Sequence, residues 1–146
     1  MTGPERGLEF TGAKAALLCS GRLLTYQRDD RPGLRWAGLW DLPGGGREGG
    51  ETPEQCLLRE LAEEFGLHLT AERLTYRRIW PAMAGGALPG VFFAGTLTEA
   101  EIAAIRFGEE GQRWGMMQVA DYLAHPLAIP ALCQRISAVP GLIPTR

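Results

Sequence analysis

Three glutamates, Glu60, Glu63 and Glu64, recur at a spacing that gathers carboxylates on one side of a helix. At ~100° per residue, they share one arc, while Leu57, Leu58, Leu61 and Phe65 share an arc on the opposite side. Like charges three and four residues apart repel and weaken a helix in water. A cation among them removes that penalty. Oxygen-only, multiply anionic ligation is what a hard ion such as magnesium or manganese prefers. An acidic helix face is most often a solvated surface, so the surroundings of these glutamates decide between the two readings.

The helix that must carry them is marked at both ends. Thr52 can cap it through its hydroxyl, Pro53 suits the first helical position, and Gln55 completes a capping box. Gly66 supplies the left-handed residue that ends it. The expected helix therefore runs over 52–65. The glycines before it form a loop passing tightly beneath the helix start. No Gly-Lys-Ser/Thr follows them, which speaks against a phosphate-cradling P-loop.

Gly45, Glu51, Arg59, Glu60, Leu61, Glu63, Glu64, Gly66 and Leu67 stand at every fixed position of the pattern G-x5-E-x7-R-E-U-x-E-E-x-G-U, where U is aliphatic. Trp40-Asp41-Leu42-Pro43-Gly44-Gly45 leads into it. The stretch resembles the Nudix box, and the chain is similar to Nudix hydrolases of the compact, MutT-like kind.

The resemblance implies divalent-metal-dependent cleavage of a nucleoside diphosphate linked to some group X. Glu60, Glu63 and Glu64 would hold the metal, Mg²⁺ with Mn²⁺ as the alternative. The Gly44 carbonyl is a further candidate ligand, because glycine lets the main chain approach closely. Arg59 is expected to pair with a box glutamate, and with Glu63 and Glu64 it completes the catalytic set. Glu51 ties loop to helix, a metal role being the lesser option. Many relatives use a late glutamate outside the box to handle the water. Glu109 and Glu110 occupy a suitable loop, although an exposed polar turn explains them equally well.

With W-x-L-P-G-G before the box, the chain resembles the short Nudix proteins that cleave nucleoside triphosphates, including oxidised ones, and this resemblance implies a triphosphate cleaved to monophosphate and pyrophosphate. ADP-ribose or another nucleotide sugar or dinucleotide comes second, Pro81 lying near the offset where ADP-ribose-cleaving relatives carry a proline. No SQPWPFPxS-like array follows the box, which speaks against NADH. Capped RNA and dinucleoside polyphosphates stay open. From another class, a catalytically inactive Nudix-fold binding or regulatory module is disfavoured by the complete set of glutamates. Nucleobases need an apolar or aromatic slot. Trp40, Trp80 and Phe92 are the candidates, with Trp36 and Phe93 beside them, though most large aromatics are core. Arg28 is the leading phosphate contact, ahead of Arg31, Arg77 and Arg78. His68 and His125 have no partners at ligand spacing and read as structural or exposed.

The remaining features bound these readings. The 146 residues fit one domain, 1–146, that buries a core without disulfides. The hydrophobic share of 45% and charged share of 22% are those of an ordinary globular protein. A net charge of -2 gives no reason to expect DNA or an anionic membrane as partner. A small nucleotide is the expected partner of a monomer or homodimer. Cys19, Cys56 and Cys133 are odd in number and set in apolar contexts, which points to reduced thiols and a cytoplasmic location. No apolar run approaches the ~20 residues that span a bilayer, and the first ten residues lack the pattern of a secretory signal.

Strands are expected at 13–20, 22–27, 36–42, most of 67–80, 90–97 and 112–119. A second capping box, Thr98 with Glu101, starts a short helix to about 106. Helix resumes from 120, breaks at His125-Pro126, and ends near 138. This order fits the α/β class, and the resemblance implies an α/β/α sandwich around a mixed sheet.

Overall fold

The computed structural model describes residues 7–142; the opening segment, on which the secretory-signal expectation rests, lies mostly outside them. Among the described residues, seven strands form one mixed sheet: β1 (Gly12–Cys19), β2 (Arg22–Gln27), β3 (Trp40–Asp41), β4 (Gly44–Gly46), β5 (Leu74–Trp80), β6 (Gly90–Thr96) and β7 (Arg113–Gln118). The main path runs β3-β2-β1-β6-β5, with β4 added to β1 and β7 to β2. β1 pairs in parallel with β6 from Gly12↔Gly90 to Leu18↔Thr96. On its other edge β1 meets β4 at Gly12–Lys14 and β2 at Leu18 and Cys19. Central placement explains why β1 and β6 are nearly continuous apolar runs.

Alternation along these two strands feeds two cores. Ala15 and Leu17 of β1 and Val91 and Phe93 of β6 pack under α1 (Pro53–Phe65), through Leu57, Leu61 and Phe65. Ala16, Phe92 and Ala94 face the other way. They pack with Tyr122 of α3 (Val119–Ala124) and with Leu132 and Ile136 of α4 (Pro130–Ser137). The sheet is thus covered by helix on both faces, in the α/β arrangement expected.

The capping signals place α1 as read. The Thr52 hydroxyl accepts from the Gln55 amide at 3.2 Å, the Gln55 side chain accepts from the Thr52 amide at 2.9 Å, and Gly66 has φ 66°. The second capping box also forms, but α2 is only Glu99–Ala103 and stops short of 106. Three further expectations need correction. The strand expected over most of 67–80 begins only at Leu74, because Ala71–Arg73 form a single 3₁₀ turn ahead of it. The strand expected over 36–42 shrinks to Trp40–Asp41, because Trp36 turns at φ 58° and residues 35–38 form turns. The glycines expected as loop form β4, which ladders onto β1.

Candidate active site

The α1 glutamates do not share one exposed face. Glu63 has 57% of its side chain exposed, Glu60 13%, and the Glu64 residue 8%. The wheel explains the gradient: Glu64 lies only ~20° from Leu57 at ~100° per residue, so it borders the buried stripe. This corrects the expectation of an acidic face set opposite the core.

Each carboxylate has a different environment. Glu64 Oε1 accepts from the Gly44 amide at 3.2 Å. Burial pushes its carboxyl up to about 8, against the pull of Lys14 and of that amide. Glu60 is also raised, chiefly by burial. Glu51 is lowered by its hydrogen bonds from Arg59, whose Nε reaches it at 2.6 Å. Arg59 also contacts Glu60 at 3.2 Å and Glu63 at 3.1 Å, and donates to the Gly46 carbonyl at 2.8 Å. One guanidinium therefore ties the glycine strand, the helix and the intervening turn together, and its proton is held above the ordinary arginine value, mainly by Glu51.

β4 lets the helix come this close. A Cβ on Gly45 would meet the Glu60 carboxyl carbon at 2.5 Å. Gly44 has φ 127° and lies against the Ala13 carbonyl, so only glycine fits there.

Lys14 and Asp41 were not singled out from sequence. Lys14 Nζ donates to Asp41 Oδ2 at 3.0 Å, to the Leu42 carbonyl at 3.2 Å and to the Gly44 carbonyl at 3.1 Å. Asp41 is 1% exposed. It also accepts from the Tyr26 hydroxyl and Arg28 Nη1, both at 3.1 Å, and from the Leu42 amide at 2.7 Å. A lysine inside the apolar run Gly12–Cys19 was the signal available in the sequence.

A cleft of about 370 Å³ opens beside β4, lined by Lys14, Arg28, Trp36, Gly45, Met83 and Arg135, among others. Of the expected substrate contacts, Arg28 lines it. Phe92 does not: it is fully buried in the second core, a correction that follows from its place on a central strand. Phe93 is likewise core, at 1% exposed. Trp40 and Trp80 are also absent from the cleft wall. The Trp40 amide and carbonyl bond Leu127 and Tyr122, which holds β3 to the α3–α4 segment. Trp80 stacks with Arg78, whose guanidinium lies 4.1 Å from the ring centroid. Arg77 pairs with Glu54 at 2.8 Å. Glu109 and Glu110 are exposed and line a separate groove with Arg28, Asp29 and Arg31. Their loop is fixed to α1 by a bond from the Gly108 amide to the Glu64 carbonyl at 2.8 Å.

Among the described residues, no three acidic, histidine or cysteine side chains stand together as a ready metal cage. The donor chemistry nonetheless fits a hard divalent ion. Glu64 is a buried carboxylate and Glu60 a mostly covered one, and among the described residues Glu64 has one hydrogen-bond partner, the Gly44 amide. Lys14 and Arg59 supply the positive charge around them. Among the described residues no helix is long and apolar enough to cross a membrane.

Comparison with known proteins adds the following. The family model described as the NUDIX domain matches residues 11–132. A Mycobacterium tuberculosis protein provisionally named 8-oxo-dGTP diphosphatase 3 is 34% identical over 146 aligned positions, covering 91% of this chain. The chain spans only 58% of that relative's length. The crystal structure of a MutT protein from Methanosarcina mazei superposes with a TM-score of 0.66 at 17% identity, over 90% of this chain and 98% of the other. A Francisella tularensis bifunctional NMN adenylyltransferase/ADP ribose pyrophosphatase, solved with AMP and a manganese ion, gives 0.59 at 23% identity, over 87% of this chain and 37% of the other. At these identities the two structures speak for the fold.

Proposed function

The chain belongs to the Nudix family, and from that premise we propose that it hydrolyses a nucleoside diphosphate linked to X. The favoured substrate is a nucleoside triphosphate, oxidised ones included, cleaved to monophosphate and pyrophosphate. The observation that carries this reading is the pair of carboxylates, Glu64 buried and Glu60 mostly covered, set against a side-chain-free strand beside a basic cleft. The provisional 8-oxo-dGTP diphosphatase name of the Mycobacterium tuberculosis relative supports the triphosphate choice. ADP-ribose is the second reading.

Glu60, Glu63 and Glu64, with the Gly44 carbonyl, would hold Mg²⁺ or Mn²⁺. Such an ion, when bound, neutralises phosphate charge and lowers the pKa of a water. The chain's own part is positioning. The Gly44 amide fixes the Glu64 carboxylate, Arg59 holds Glu60 and Glu63, and Asp41 aims Lys14 and Arg28 along the cleft wall. Lys14 and Arg28 then attract the substrate's phosphates. Water attacks phosphorus and the phosphate or its ester leaves. Glu109 or Glu110 takes the water's proton if their loop approaches the substrate; Glu63, the most exposed helix carboxylate, is the next choice.

A panel of nucleotides and dinucleotides with Mg²⁺ or Mn²⁺, products resolved by chromatography, tests the reading. Turnover should vanish in EDTA and fall by about 10³-fold in Glu64→Gln. Activity that survives thorough chelation would sink it. Wild-type rates and pH dependence in both Glu109→Gln and Glu110→Gln would move the base to Glu63.

A further inference from the structure

Arg135 sits on α4 between Leu132 and Ile136, both fully buried, and is itself only 4% exposed. Its Nη2 donates to the Pro81 carbonyl at 2.7 Å, and its guanidinium lies 5.8 Å from the Trp80 ring centroid. Among the described residues no carboxylate pairs with it, whereas Lys14 and Arg28 share Asp41. Arginine is seldom buried without a counter-charge, because the lost hydration is not returned. Burial lowers the pKa of this guanidinium from the ordinary arginine value.

The unused N–H groups are not sealed off. Arg135 has no nitrogen among the fully enclosed atoms that lack a partner, and the residue lines the cleft. Gly90, also on that wall, keeps the approach open: a Cβ there would stand 3.5 Å from Nη1. Arg135 belongs to the α4 face of the sheet, while Glu60 and Glu64 belong to the α1 face, with β4 between them.

We propose that Arg135 is an anion-binding residue whose counter-charge is a phosphate of the ligand, separate from the diphosphate held at the carboxylates. The proposal rests on the nucleotide reading above and narrows it to nucleotides carrying a further phosphate on the nucleoside. A guanidinium suits this task because its planar fork meets phosphate oxygens two at a time. An uncharged group at this end of the cleft would leave the buried cation unpaired.

The test is calorimetric titration in EDTA, where binding is read without turnover. Failure of the hydrolase reading and failure of this site are therefore seen separately. The probes are two pairs differing by one phosphate: ADP-ribose with its 2′-phosphorylated form, and ADP with its 3′-phosphorylated form. Wild type should bind the phosphorylated member of at least one pair about tenfold tighter or more. Arg135→Gln should bind both members alike, and Arg135→Lys should keep part of the preference. Equal binding by wild type in both pairs overturns the proposal, and so does a folded Arg135→Gln that keeps the preference. If Arg135→Gln does not fold, the Arg135 Nε–Hε resonance of labelled wild type decides. It should shift with the phosphorylated member only; a shift with both, or with neither, overturns the proposal. A preference for keto-purines over adenine that vanishes in Arg135→Gln, with no effect of the phosphate, likewise overturns it and makes Arg135 a reader of the base.

Discussion

On the proposed reading, Glu64 would trade stability for metal binding. Its carboxyl is pushed up to about 8 by burial, from an ordinary value of 4.5. For a group raised in this way, stability is complete below the ordinary value and is lost as pH rises toward the folded one. Metal-free wild type should therefore weaken between about pH 4.5 and 8, at roughly 1.4 kcal/mol for each step of one in pH. Glu64→Gln is spared that loss. In EDTA it should melt several degrees above wild type at pH 8 and level with it near pH 4.5. With saturating Mg²⁺ the order should reverse. A lower melting temperature for Glu64→Gln at pH 8 in EDTA would show a structural need for the charge. Glu63 is not expected to behave this way, although repulsion on an acidic face would predict it, because Arg59 already meets Glu63 at 3.1 Å.

At the scale of elements, β4 is a partition one backbone thick, with Glu60 against one side of Gly45 and the cleft on the other. Gly45→Ala should push the flexible end of Glu60 aside at little cost to folding, yet weaken Mg²⁺ binding tenfold or more, read by calorimetry. Gly44→Ala should instead destabilise the fold, because a side chain there meets the Ala13 main chain at φ 127°. Equal Mg²⁺ affinity in Gly45→Ala and wild type would remove Glu60 from the site. A second element-level device is the clamp of Arg73 on Glu101, at 2.7 Å, across the start of α2. Arg73 holds the Glu101 carboxyl down at about 2, from 4.5. A lowered carboxyl stabilises above its ordinary value and loses that contribution as pH falls. Glu101→Gln should thus be about 1 kcal/mol weaker at pH 7, and the gap should close between about pH 4.5 and 2. A gap that stays constant over that range would remove the clamp as its cause.

These elements also show what the sequence could disclose. The ends of α1 were legible because caps act locally, through Thr52, Gln55 and Gly66. β4 was not, since glycine has little preference for strand and only the ladder to β1 holds it there. Lys14 and Arg135 were hidden inside apolar patterns. Each takes its meaning from partners distant in the chain: Asp41 for Lys14, the Pro81 carbonyl for Arg135. Phe92 misled because an aromatic in a strand reads the same whether it faces a ligand or a core.

In the whole molecule, two cores share one sheet, and its central strand finds its parallel neighbour far along the chain, Gly12 beside Gly90. The last turn of α1 depends on equally late residues, since the amides of Arg106 and Gly108 bond the carbonyls of Phe65 and Glu64. The motif helix is 13 residues long, a length at which isolated helices are marginal in water. The box is therefore not a portable module. A nascent chain that has already emitted every residue of it should still have no site, and assembly should wait on slow, non-local closure. A fragment ending at Leu67 should show little helical circular dichroism and no cooperative melt. Cooperative unfolding of that fragment would mean the motif carries its own folding nucleus. In the living cell, the interval between making the motif and completing the sheet is when its apolar strands stand open, so synthesis speed through β6 sets the exposure of this chain to aggregation.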